Sequence, residues 1–313
     1  MPRVTVLIPS PAPPLILESC AEHFDVLHLW QYADPDSVIG EQGARVQGIA
    51  AAGCSVGSDL MDRLPNLRII ANLGVGCDNV DVAAACERDI VVTNTPGVLD
   101  AEVADTAIGL LLMVVRELGR AEQYLRAGRW STGPYALSPT TLSGRTMGIV
   151  GLGRIGTAIA RRAGAFGMSV SYHSRRPADV PYRYHSSLLD LARHVDTLMI
   201  ATPGGPLTRH LVNATVLRAL GPDGVIVNVS RGSVLDERAL VSALRAKIVL
   251  GAGLDVYEAE PQVSAELLEL PNAVLLPHVG TASVPTRRAM AQLVVDNLTG
   301  FFHHGRSLTP VSG

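Results

Sequence analysis

Four side chains in the second half of the chain are of the types that proton transfer and carboxylate binding require. They are Arg231 in NVSRGSVLDE, Asp255 and Glu260 in GLDVYEAEP, and His278 in LLPHVGTAS. Histidine gains and loses a proton near neutral pH, and a carboxylate beside it favours the charged form. Arginine offers a planar fork of donors that matches a carboxylate. Each residue also has an ordinary reading: Arg231 as an ion-pair residue, Glu260 as a loop charge, His278 as a satisfied histidine after a strand. Their weight comes from position, since all follow apolar runs, and open α/β sheets bind ligands at the carboxyl ends of their strands.

Upstream lies TMGIVGLGRIGTAIARRAGAFGMSVSYHSRRP, with Gly151-x-Gly153-x-x-Gly156. Alone, that glycine spacing is common. Here it follows an apolar strand, opens a helix patterned by Ile155, Ile159, Ala160 and Ala163, and leads to a second strand, which is the context a dinucleotide site needs. Gly151 would allow a tight turn, Gly153 the close approach of a pyrophosphate, and Gly156 the helix–strand contact. The free N–H groups of the helix start would meet the phosphate charge.

The second strand ends unusually. An NAD site places an acid there to accept the ribose hydroxyl, but this chain has His173, then Ser174, Arg175 and Arg176. A hydroxyl and two guanidinium groups suit a phosphate dianion instead. The expected coenzyme is therefore NADP, with NADPH preferred over NADH.

The elements that must position these residues alternate strand and helix throughout. Apolar runs at 4–8, 26–30, 46–50, 68–72 and 90–94 form one set. A second set lies at 146–150, 169–173, 197–201, 225–229, 248–256 and 273–277. Near-continuous apolar runs mark parallel strands covered on both faces. Between the sets, DAEVADTAIGLLLMVVRELGR predicts a helix with Asp100 as its N-cap. Being apolar nearly all round, it is either an ordinary core helix or a crossing between domains that contributes to a dimer interface. A last helix, about 285–302, is expected to return to the first set, with hinge crossings near 98–101 and 283–287. Residues 1–98 with 285–313 would then form the substrate domain, and 99–284 the NADP-binding domain.

Composition bounds the function classes. The chain has 313 residues, 47% hydrophobic and 18% charged, with a net charge of −3, which gives no footprint for nucleic acid or an anionic membrane. The longest apolar run, 107–115, falls short of the ~20 residues of a membrane span. Cys20, Cys54, Cys77 and Cys86 show no paired spacing and read as reduced thiols of a cytoplasmic protein. No Cys/His/carboxylate spacing suggests a metal, and His303–His304 reads as a polar helix end. PLTRH (206–210) has no acid or nucleophile elbow beside it. Trp130 reads as a packing residue, with closure over a substrate from a neighbouring subunit as the alternative.

Over nearly its whole length the chain resembles the D-isomer-specific 2-hydroxyacid dehydrogenases. The resemblance is carried by NLGVGCDNVD, VTNTPGVLDAEVADTAIGLLL, GIVGLGRIG, TPGGPLTRHLVN, NVSRGSVLDERAL, GLDVYEAEP and LLPHVGTAS. YHSRRP and TPGGPLTRHLVN make it most similar to the NADP-dependent glyoxylate and hydroxypyruvate reductases and the related hydroxyphenylpyruvate reductases. The resemblance implies an α/β fold of two doubly wound parallel-sheet domains, a Rossmann domain inserted into a flavodoxin-like one, and a homodimer. It implies that Arg231 grips a 2-ketoacid carboxylate, that His278 is the acid/base, and that Glu260 is its partner. Leu152, Gly153, Arg154 and Ile155 would contact the pyrophosphate, and Ser174, Arg175 and Arg176 the 2′-phosphate. Thr202 and Pro203 would line the adenosine side, Val229 and Asp255 would face the nicotinamide, and Gly280 would complete the coenzyme set. Val75 and Gly76 would offer N–H groups to the substrate carboxylate. The alternative is a dinucleotide-sensing protein of corepressor type, which retains such residues; a formate-type dehydrogenase is disfavoured by Glu260, where that branch bears glutamine.

Overall fold

Strands sandwiched between helix layers bury alternate side chains in opposite directions, and both sheets of this protein are built that way. The computed structural model describes residues 3–311. The chain divides into two units, Met1–Leu99 with Ser283–Gly313, and Asp100–Ala282.

In the first unit, β1 (Thr5–Ile8), β2 (Asp25–His28), β3 (Val46–Ala51), β4 (Ile69–Asn72) and β5 (Val91–Thr93) form a parallel sheet of order β2-β1-β3-β4-β5. This is the flavodoxin-like order. Val6, Ile8, Ala50, Ile69 and Ala71 face one apolar layer, while Leu7, Ile49 and Ile70 face the other. The first layer is closed by the helices Pro14–His23 and Val284–His304, through Ile16, Cys20, Ala291, Val294, Val295 and Leu298. The C-terminal helix thus completes the sheet formed by the first hundred residues. Its end is packed as well as polar: the His303 ring lies 5.9 Å from that of His23 and 6.0 Å from that of Phe24.

In the second unit the strands are β6 (Thr146–Val150), β7 (Ser169–His173), β8 (Arg183–Tyr184), β9 (Thr197–Ile200), β10 (Val225–Asn228), β11 (Gly251–Leu254) and β12 (Ala273–Leu275). Their order is β12-β11-β10-β9-β6-β7-β8, all parallel. Read from β6, it is the Rossmann order with one strand added, and it reverses between β6 and β9, where such sheets bind their ligand. Leu198, Ile200, Ile226, Ala252 and Leu254 bury one face. On the unit's other helix layer, Asp100–Arg116 packs against Arg154–Ala165 and against β10, β11 and β12.

Several sequence expectations shift in detail. Asp100 sits inside the first turn of its helix and not at the cap, where its charge still opposes the positive helix end. That helix stops at Arg116. Glu117 turns left-handed (φ 50°), and no residue of the next helix, Leu118–Arg126, is buried. The apolar drive that extends the first helix ends there. The run 248–256 yields a strand only over Gly251–Leu254, because Lys247 is left-handed (φ 54°) and the Ile248 N–H still bonds the Ala243 carbonyl of the preceding helix at 2.9 Å, so the chain bends before it joins the sheet. Val249 is 1% exposed without belonging to a strand. Trp130 does not pack within the chain: it is 68% exposed. Among the described residues, no helix is long and apolar enough to cross a membrane.

A tight contact of the second unit is the entry to helix Arg154–Ala165, where a Cβ on Gly156 would lie 2.2 Å from the Gly151 carbonyl oxygen. Alanine gains about 1 kcal/mol over glycine in a helix interior, but overpacking costs about 1–3 kcal/mol, here against backbone that cannot rotate away. With the clash at 2.2 Å against backbone placing the cost at the upper end of that range, about 3 kcal/mol, Gly156→Ala should destabilise the protein by about 2 kcal/mol net. Denaturant unfolding would show this as a lowered midpoint, and an unchanged midpoint would refute it.

Candidate active site

The turn after β6 is shaped by three glycines with three different reasons. Gly151 has φ +94°, and a Cβ there would press within 2.7 Å of the Thr202 backbone. Gly156 brings the helix against that same turn. Gly153 differs, because a Cβ on it would meet nothing within 4 Å. Open space at this position, at the N-terminus of a helix that no side chain caps, fits a phosphate received by backbone N–H groups. Leu152, Arg154 and Ile155 share this turn, and Thr202 and Pro203 follow β9, the strand beside β6 across the reversal of order.

β7 runs alongside β6 with His173 opposite Val150, and the His173 carbonyl accepts the Gly151 N–H at 2.9 Å. His173 thus stands at the end of β7, level with the end of β6, where the glycine count placed it. Its Nδ1–H donates to the His185 carbonyl at 2.9 Å. The next residues form a small loop, in which the Ser174 hydroxyl donates to the Arg176 carbonyl and Tyr184 donates to the Ser174 carbonyl. Arg175 and Arg176 are exposed, and neither guanidinium has a carboxylate partner among the described residues. Two unneutralised cations beside a ribose slot fit a 2′-phosphate. Behind this loop, buried His185 bonds Asp190 at 2.6 Å, and that bond lowers the Asp190 pKa. With His194, these residues bring ligand-type atoms within 4.8 Å of one another, a grouping that sequence spacing did not suggest.

The second cluster is assembled from the turns after β10, β11 and β12. After β10, buried Asn228 accepts the Ser230 N–H at 3.1 Å and donates to the Arg231 carbonyl at 3.0 Å, fixing the backbone that carries Arg231. The Arg231 Nη1 donates to the Ser230 carbonyl at 2.7 Å. Val229, in the same turn, is buried.

After β11 come Asp255 and Glu260, and after β12 comes His278. His278 Nδ1–H donates to Glu260 Oε2 at 2.7 Å, and Glu260 Oε1 accepts the Tyr257 N–H at 2.9 Å. The hydrogen bond that His278 donates to Glu260 raises the His278 pKa above its ordinary value, against partial burial and the nearby Arg231 charge. Burial pushes the Glu260 carboxyl up, but the bonds from His278 and Tyr257 and the charges of His278 and Arg231 outweigh it, and its pKa is lowered. The pair therefore favours imidazolium and carboxylate, leaving Nε2 as the nitrogen with a transferable proton.

Asp255 is 2% exposed, and its two oxygens accept the Val279 and Gly280 N–H groups at 2.7 and 2.8 Å. Its pKa is raised by burial, partly offset by those bonds. In this structure its carboxylate anchors the segment that carries His278. Gly280 is pressed onto it, since a Cβ there would lie 2.9 Å from Asp255 Oδ2.

Two parts of this cluster escaped the sequence reading. Tyr257, which is buried and has its pKa pushed to about 12 by burial, donates its hydroxyl to the Leu276 carbonyl at 2.8 Å, two residues before His278. His210 does have an acid: its Nε2–H donates to Glu258 Oε1. The two lie 48 residues apart in sequence, so only the fold reveals the pair.

In the first unit, Val75 and Gly76 occupy the loop after β4. Their carbonyls accept the Asn94 and Asn72 amides at 2.8 and 3.0 Å, which leaves both peptide groups held in place. Their N–H groups have no acceptor among the described residues.

Comparison with known proteins places these features in context. Residues 108–280 match the D-isomer specific 2-hydroxyacid dehydrogenase, NAD binding domain. The glyoxylate/hydroxypyruvate reductase A of Arabidopsis thaliana is 42% identical over 314 residues, covering 99% of this chain and 100% of that protein. The hydroxyphenylpyruvate reductase of Plectranthus scutellarioides is 41% identical over 313 residues, covering 99% and 100%. An NADPH-dependent glyoxylate/hydroxypyruvate reductase from Sinorhizobium meliloti, solved in complex with NADP and malonate, is 52% identical with a TM-score of 0.95, covering 99% of this chain and 97% of that one. With the glycine turn, the arginine-bearing ribose slot and the Glu260–His278 pair in one unit, the chain belongs to the D-isomer-specific 2-hydroxyacid dehydrogenases.

Proposed function

We propose that this protein reduces short 2-ketoacids, glyoxylate and hydroxypyruvate foremost, to D-2-hydroxyacids with NADPH. The observation that carries the proposal is the 2.7 Å bond between His278 and Glu260, in the same unit as a phosphate-ready glycine turn. A corepressor-type sensor retains such residues too, but a pKa-raised histidine is what a proton donor requires. The similarity to named reductases over the whole chain points the same way.

NADPH, when bound, supplies the hydride. The protein's own groups do the rest. Leu152 to Ile155 receive the pyrophosphate, Ser174, Arg175 and Arg176 the 2′-phosphate, Thr202 and Pro203 the adenosine, and Val229, Asp255 and Gly280 border the nicotinamide. Arg231 pairs with the ketoacid carboxylate and so fixes the carbonyl carbon for attack. As negative charge grows on the carbonyl oxygen, His278 delivers its Nε2 proton there. Glu260 holds the opposite nitrogen and stabilises the imidazolium until that moment.

The same proposal includes a cytoplasmic homodimer. Leu118, Leu125, Trp130 and Leu137 are 46, 55, 68 and 94% exposed, in a segment whose helix buries none of its residues within the chain. A second copy is the economical cover for such a surface. All four cysteines are free thiols, as suits a reducing compartment. Sedimentation should give twice the chain mass, and Leu137→Asp with Leu125→Asp should shift it toward the monomer; a wild-type monomer would refute the assembly.

Two kinetic outcomes test the chemistry. A hydrogen bond to a charged group contributes about 1.5–3 kcal/mol, so Arg175→Ala should cut the NADPH-over-NADH ratio of kcat/KM about ten- to a hundredfold. An equal loss with both coenzymes would remove the phosphate assignment. The second concerns pH. Reduction needs protonated His278, so activity is present below its raised pKa and lost as pH rises through it. Glu260→Gln removes the group that raises that pKa, and the basic limb of kcat/KM should move to lower pH. An unmoved limb would refute the pairing.

A further inference from the structure

We propose that His210 and Glu258 are positioning residues: their bond holds the Tyr257–Glu260 turn in register for His278, and ties it to the loop that follows β9. This rests on the reading of Glu260 and His278 as the proton-donating pair.

The turn after β11 is fixed on several sides by groups that no substrate touches. Beneath it, Gly232 lies backbone to backbone with the turn, since a Cβ there would fall 1.9 Å from the Tyr257 carbonyl carbon and 2.4 Å from the Glu258 nitrogen. Glu237 accepts the Glu258 N–H at 3.3 Å. The Tyr257 hydroxyl reaches the Leu276 carbonyl. These contacts secure Tyr257 and the backbone of Glu258, but not the outward part of the turn at Ala259 and Glu260, which is exposed. There the Ala259 carbonyl accepts the Gln262 N–H at 2.8 Å and Glu260 Oε1 the Tyr257 N–H at 2.9 Å, both within the turn. The Glu258 side chain, bonded to His210, ties the turn to the loop after β9.

His210 is itself built into place. It has φ 49°, a left-handed backbone that a non-glycine residue adopts at a cost. That geometry is kept by its N–H bond to the Ser233 carbonyl at 2.8 Å and by the Val212 N–H bond to the Val234 carbonyl at 3.0 Å. Its loop is closed by the Thr208 hydroxyl on the Pro203 carbonyl at 2.7 Å. Pro203, assigned above to the coenzyme, is thus two bonded contacts from the turn that carries Glu260. The charged groups around this assembly are Glu237 beside Glu258, and Glu260, Asp255 and Arg231 around His278.

The test measures NADPH-dependent hydroxypyruvate reduction across pH for wild type, His210→Ala, Glu258→Ala and the double variant, with His210→Gln as the conservative variant that can still donate. Small misplacements of catalytic groups are costly, so each alanine variant should lose about tenfold or more in kcat. Hydroxypyruvate KM should change little, and the basic limb should move to lower pH as the Glu260–His278 bond loosens. The double variant should be no worse than either single one, since one bond is being removed, and His210→Gln should recover most of the activity. Additive losses, or reduced kcat with an unmoved basic limb, would overturn the inference and leave a merely structural pair. If Glu258→Ala does not fold, the half-exposed His210 carries the test alone through its two variants. A wild type that reduces no ketoacid would overturn the functional reading and this inference together; an active wild type with unaffected variants would overturn this inference only.

Discussion

A single proton-sharing contact, His278 Nδ1 to Glu260 Oε2, sets the demands on the rest of the second unit. Its two partners come from loops 18 residues apart, after different strands. Holding side chains from separate loops within hydrogen-bond reach requires that the strands themselves not slip. The parallel pairing of β11 with β12 supplies this, with Ala252, Gly253 and Leu254 in register with Ala273, Val274 and Leu275. Buried cross-links then fix what the ladder leaves loose: Tyr257 to Leu276, and Asp255 to Val279 and Gly280. A sheet covered on both faces resists register change because a one-residue slip would send every apolar side chain to the wrong layer.

The same sheet separates two electrostatic tasks along its carboxyl edge. Toward β7 the edge is cationic and open, with Arg175 and Arg176 in solvent and Gly153 free of neighbours. Toward β11 and β12 it carries carboxylates that are each committed to a donor. Charges left exposed are available to an incoming anion, whereas Glu260 and Asp255 act on residues of their own chain. What separates the two sets is commitment to a donor and not burial: Asp255 is 2% exposed and Glu260 lies at the surface, yet both oxygens of each are bonded within the chain.

Most of this architecture was readable in the sequence because parallel strands announce themselves. Val225–Asn228 is buried at every position, and a run that must satisfy two apolar layers cannot hide as alternation. The end of β7 was legible by counting from Gly151, since the β6–helix–β7 unit has a nearly fixed length and His173 does pair opposite Val150. Where reading failed, a local pattern stood for a nonlocal fact. The run at 248–250 is apolar because Val249 is buried in a bend, and composition does not distinguish burial in a bend from burial in a strand. Trp130 looked like a packing residue because tryptophan is costly to expose, yet it is 68% exposed in this chain. His210 showed no acid nearby because its acid arrives from beyond β10, the strand that separates β9 from β11.

The anchoring of Asp255 has a consequence for what the protein can tolerate there. Two peptide N–H groups converge on its two oxygens, in a pocket sealed from water. Asparagine has the same shape, but one of its termini would present hydrogens toward a hydrogen. The position is thus selected by polarity at constant volume. A mutation that leaves every contour unchanged could still swing the neighbouring imidazole out of line, through nothing more than the sign of a dipole.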